Sequence, residues 1–88
     1  MNSTARPDRI GEVWTRLEGD ETAIFEPVSQ RLIRLNASAR AIWELCDGET
    51  EVAEVVAALV ELTGRPEDEV TSEVDATLES LRDLGLVT

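Results

Sequence analysis

The sequence contains no histidine, no lysine, no tyrosine and a single cysteine. Each absence closes a class of function. Without histidine there is no imidazole general base and no Ser–His–Asp triad. Cys46 alone cannot form an intrachain disulfide, so oxidation does not hold this fold together. Nor can it make a zinc site, which needs several nitrogen or sulfur ligands. No glycine-rich phosphate loop is present, and no stretch alternates oxygen ligands around a glycine as a calcium loop does. The expectation is therefore no catalytic residue, no metal and no cofactor. Apolar runs are too short to span a bilayer, and Met1–Pro7 lacks a signal-peptide core, so the chain is expected in the cytoplasm. Basic residues are scarce as well: eight arginines face nineteen Asp and Glu, for a net charge of −11 over 88 residues. Phosphate neutralisation and anionic lipid surfaces both call for Lys and Arg, so this balance argues against a non-specific nucleic-acid or membrane binder.

What remains is a small globular composition. Apolar residues make up 42% of the chain, too many for a disordered acidic tail and enough for one core, though a deep active-site cleft is not expected at this length. Residues 1–9 read as a flexible N-terminus, and residues 10–88 as a single domain. The stretch from Ile10 to Leu35 favours strands. IGEVWTRL (10–17) is the first, Gly19-Asp20 supplies a tight turn, and TAIFEP (22–27) is the second, stopped by Pro27. QRLIRL (30–35) is the third, and an antiparallel meander follows. At Asn36, a favoured N-cap, the apolar period changes from 2 to 3.6. Ala39, Ile42, Trp43 and Cys46 share one face of a helix over 37–47, which Gly48 should end as a left-handed cap. Thr50 is the candidate N-cap of a second helix over 51–63, with Val52, Val55, Val56 and Leu59 on its apolar face and Gly64 after it. Pro66 restarts the chain into a third helix over 66–84. Gly85 closes it, and Leu86 can pack back on Leu81 in a Schellman-type cap. Strands followed by helices point to α+β rather than βαβ.

Most residues that could carry chemistry have simpler explanations. Glu67, Asp68 and Glu69 sit in a helix first turn, where acids favour the dipole. Cys46 lies on an apolar face beside Glu44 and Asp47, which suits an inert thiol. Trp43 has core spacing. Trp14 can be core or an exposed anchor for a partner. The third strand is the informative element. In sheet order 1-2-3 it is an edge, with backbone groups free to accept another strand. Arg31, Ile33 and Leu35 point one way; Gln30, Leu32 and Arg34 point the other. Arg31 and Arg34 can serve as edge protection or can recognise an acidic extended peptide.

These residues carry a resemblance. Leu35-Asn36, Ala39, Ile42-Trp43, Leu45, Asp47-Gly48, Val52, Glu54-Val55, Leu81, Gly85 and Leu86 resemble, in order, the pattern of the PqqD-like family, over about residues 22–88. The resemblance implies a winged helix-turn-helix domain, a three-stranded antiparallel sheet followed by three helices. Its role would be to bind the leader of a ribosomally made precursor peptide, non-catalytically and by strand addition. It implies a site on the third strand, at Gln30, Arg31, Leu32, Ile33, Arg34 and Leu35, and on the third helix, at Val70, Glu73, Val74, Thr77, Leu78 and Leu81. Val70, Val74, Leu78 and Leu81 form the only apolar stripe of that helix and fit the core, which leaves Glu73 and Thr77 as margin contacts. A discrete chain of this size resembles the freestanding members. The partners implied are the leader peptide with a leader protease and a cyclase, as in lasso-peptide biosynthesis. The alternative is a radical enzyme, as in pyrroloquinoline quinone biosynthesis. Lasso-type members often carry an aromatic near the Leu-Asn pair, where this chain has Ile33 and Arg34. The fold would also permit a winged-helix DNA regulator. Residues 41–88, however, hold two arginines against thirteen acids, which opposes phosphate contact.

Overall fold

The computed structural model describes residues 4–11 and 13–88. Three strands precede three helices: β1 Trp14–Glu18, β2 Glu21–Glu26, β3 Arg31–Leu35, α1 Ala37–Glu44, α2 Val52–Thr63 and α3 Glu67–Asp83. The sheet is antiparallel in order β1-β2-β3, so β1 and β3 are both edges. Gly19 takes φ +64° at the first central position of the β1–β2 hairpin, a conformation glycine adopts without strain.

One sheet face packs on the helices. Ile24 of β2, Leu35 of β3, Ile42 and Trp43 of α1, four residues of α2 and four of α3 make a continuous core with Cys46, Leu86 and Val87. The apolar stripes read from the sequence are the buried ones: Val52, Val55, Val56 and Leu59 on α2, and Val70, Val74, Leu78 and Leu81 on α3. Asn36 caps α1, its side chain accepting from the Ala39 amide at 2.8 Å. The end of α3 is a full Schellman motif. Leu86 N–H donates to Leu81 C=O at 2.9 Å, Gly85 N–H donates to Arg82 C=O at 2.9 Å, and Gly85 takes φ +74°.

Several local expectations are corrected. Helix α1 ends at Glu44, three residues early, because Asp47 organises the following turn instead. Its carboxylate accepts from the Glu49 and Thr50 amides and the Thr50 hydroxyl. Gly48, at φ +78°, belongs to that turn rather than to a helix cap. Thr50 is accordingly not the N-cap of α2. Glu51 is, in a reciprocal capping box with Glu54. Strand β1 begins at Trp14 rather than residue 10, and Gln30 precedes β3 in the turn at φ +57°. The N-terminal segment is tied down over the part described. Val52 N–H donates to Ala5 C=O, Gly48 N–H to Pro7 C=O, Arg9 N–H to Cys46 C=O and Ile10 N–H to Leu86 C=O. Residues 1–3 of the expected flexible terminus and Glu12 of the expected first strand lie outside the described residues.

Candidate functional site

Strand β3 pairs with β2 on one side only, so its other edge carries unpaired backbone groups. Its side chains alternate as the period-2 pattern demands. Ile33 and Leu35 turn toward the core, Ile33 half-buried and Leu35 fully so, while Leu32 and Arg34 stand on the opposite, outer face. Arg34 pairs there with Glu18 of β1 at 3.1 Å, across the width of the sheet.

Arg31 does something else. It starts β3, and its guanidinium donates to the carbonyl of Leu84 at the end of α3. Its Nε donates to the Ser29 hydroxyl at 2.9 Å. Ser29 in turn donates through its hydroxyl and its amide to the carboxylate of Glu26, which also accepts the Val28 amide at 2.9 Å. A relay of Glu26, Ser29, Arg31 and Leu84 thus ties the β2–β3 turn to the C-terminus of α3. The Ser29 hydroxyl, its amide, the Val28 amide and the Arg31 charge hold the Glu26 carboxyl below its ordinary pKa of 4.5, against the opposing effect of burial. A helix C-terminus is a favourable place for a cation, since its carbonyls lack intrahelical partners.

On the helix side the six expected contacts divide. Val70, Val74, Leu78 and Leu81 are each 1% exposed or less, and with Leu35 they belong to the continuous core. Glu73 is held by Arg65 at 2.8 Å, at the N-terminal half of α3, in a depression shared with α1 and α2 rather than with β3. Thr77 is half-buried one turn further along. Leu84, half-buried at the helix end and held by Arg31, was missed from the sequence. Its signal was an apolar residue directly before the cap glycine. Gln30 lies in the turn, outside the ladder. Cys46 is fully buried, and desolvation pushes its thiol up to about 11, which leaves it uncharged at neutral pH. Among the described residues no cluster of acids and cysteine could hold a metal ion, and no helix is long and apolar enough to cross a membrane.

The outer sheet face, by contrast, carries an uncovered apolar row. Trp14, Phe25 and Leu32 are cross-strand partners, one per strand, and the two rings lie 5.6 Å apart. Trp14 is 69% exposed and Leu32 61%.

Comparison with known proteins adds three findings. The family model described as coenzyme PQQ synthesis protein D (PqqD) matches residues 21–87. No curated protein is matched by the sequence. Among solved structures, "TbiB1 in Complex with the TbiA(beta) Leader Peptide" is similar in fold, with TM-score 0.78 at 19% identity, over 91% of this chain and 93% of that one.

Proposed function

This chain belongs to the PqqD family, and on that premise we propose that it is a non-catalytic adaptor that binds the leader of a ribosomally made precursor peptide. The observation that carries this reading is the free edge of β3, held beside α3 by the Arg31 relay. The structurally similar TbiB1 was solved with a leader peptide bound. A leader adding as a fourth strand takes its backbone bonds from Arg31–Leu35. Its side chains alternate, one set meeting Ile33, Thr77 and Leu84, the other emerging beside Leu32 and Arg34. Val70, Val74, Leu78, Leu81 and Leu35 act from the core, by holding α3 and β3 in position. Arg34 favours an acidic residue in the leader. The loaded protein then presents its cargo to a leader protease and a cyclase of the lasso-peptide type, in the cytoplasm. A second reading, presentation to a radical enzyme, is favoured by one finding, the family's own description as a PQQ synthesis protein.

Calorimetric titration with the synthetic leader of the neighbouring precursor gene tests the first step. Saturable binding with perturbation of the β3 amides is expected, and no detectable heat or amide shift for any such leader sinks the adaptor reading. Adding the loaded protein to each purified enzyme separates the pathways. Stimulated leader cleavage supports the lasso assignment, and stimulation only of the radical enzyme replaces it.

A further inference from the structure

The outer face of the sheet has no role in holding the leader's backbone, yet it is built in ordered rows. Trp14, Phe25 and Leu32 form an apolar row across the three strands, and Arg16, Ala23 and Arg34 form the next. Glu18 stands between the two arginines, 3.5 Å from Arg16 and 3.1 Å from Arg34. Ala23, the small residue in the middle of its row, leaves a recess whose floor is apolar and whose rims are guanidinium groups. The arginine side chains are 79% and 51% exposed, so each keeps N–H donors for an incoming acceptor. The chain has only three aromatic residues, and two of them line this recess. An exposed tryptophan beside arginines is the composition of a binding hot spot rather than of an inert surface.

We infer that this face docks the processing enzyme, and that the enzyme meets it with an apolar side chain flanked by carboxylates. Charge complementarity with Arg16 and Arg34 fixes the flanking groups, and the Trp14–Phe25–Leu32 row fixes the centre. A second copy of this chain fits poorly. Each copy carries a net charge of −11, and two copies meeting through this face would set the same exposed arginines against each other. Position supplies the other argument. Leu32 and Arg34 belong to both the outer face and the β3 edge. A leader strand added at that edge widens this same face, and its outward side chains join the surface the enzyme reads. The enzyme therefore prefers the loaded adaptor to the empty one. The inference rests on the adaptor reading, but its test uses β1, which is separated from the leader edge by the width of β2.

Trp14→Ala and Arg16→Glu are made separately; both side chains are exposed, so the fold is retained, as circular dichroism and the urea midpoint will verify. Leader affinity is measured first, then the affinity of purified leader protease and of purified cyclase for each variant, with and without saturating leader. The expected result is leader affinity within twofold of wild type, enzyme affinity lowered about tenfold or more, and tighter enzyme binding by the loaded wild-type protein. Unchanged enzyme affinity in both variants overturns the inference. So does failure of either enzyme to bind the wild-type protein, or sedimentation of the wild-type protein as a dimer that Trp14→Ala dissolves. Failure of the adaptor reading is distinct, because it is seen in the leader titration of the wild-type protein alone.

Discussion

Arg31 and Arg34 lie on the same short strand, but an odd spacing puts them on opposite faces of the sheet, and their surroundings differ accordingly. Arg31 is engaged within the molecule, by Ser29 and the Leu84 carbonyl. Its loss removes a strut, not a charge that the peptide sees. Arg31→Ala is expected to weaken acidic and uncharged leaders by the same factor, with little salt dependence. Arg34→Glu is expected to weaken only the acidic leader, by about threefold to tenfold, the scale of an exposed charge pair reversed, and chiefly through the association rate. Stopped-flow titration of the two variants with the two leaders separates these outcomes; equal behaviour of both arginines would refute the division. The same relay gives a pH dependence. Glu26 has a depressed folded-state pKa, so it contributes stability that is fully present above its ordinary value of 4.5 and is lost as pH falls through the lower, folded value. Glu26→Gln is therefore expected to flatten the acid limb of a stability profile measured by urea unfolding, with the largest difference from wild type at neutral pH.

At the level of elements, the cap of α3 joins the fold to the proposed site through Arg31. Gly85 sits at φ +74°, and a Cβ there would lie 3.3 Å from the Arg31 guanidinium. Gly85→Ala is expected to destabilise the protein by roughly 1–2 kcal/mol from left-handed backbone alone, and to loosen the Arg31 relay in addition. Asn36→Ala, which removes only the cap of α1, is expected to cost about 1 kcal/mol without affecting leader affinity. Urea midpoints at constant m check both values, and a Gly85→Ala protein that keeps full leader affinity would show that the relay does not position the site. These caps were legible in the sequence, as were the three apolar stripes, because glycine, asparagine and a 3.6 period each act locally. The end of α1 was not. Asp47 competes for the turn with its side chain, and periodicity through Cys46 gives no sign of that competition. Thr50 misled for a related reason, since its hydroxyl is committed to Asp47 and leaves the capping to Glu51. On β3, strand parity placed the faces of Leu32, Ile33 and Arg34 as the structure has them. The attachment of Arg31 to Leu84, 53 residues away, is a tertiary contact that no local pattern encodes.

For the molecule as a whole, the net charge of −11 is a segregated property. Residues 1–40 balance six arginines with six acids, and the excess belongs entirely to residues 41–88. The helical half thus meets a duplex with repulsion, and random DNA is expected to give no anisotropy change even at low salt, where phosphate contacts are strongest. The same segregation shapes how an acidic leader arrives. At long range it encounters the whole charge, which repels it; at short range it encounters Arg34 on a sheet of zero net charge. Salt separates the two, because the Debye length is about 30 Å at 0.01 M and about 10 Å at 0.1 M. Raising salt through that interval screens the distant helices before it screens a contact at the strand edge. The association rate of an acidic leader is therefore expected to rise first and to fall only at higher salt, whereas Arg34→Glu, having no local attraction to lose, rises throughout. A wild-type rate that falls monotonically from the lowest salt would mean that the strand-edge arginine governs encounter at all distances, and that the acidic helices face away from the approaching peptide.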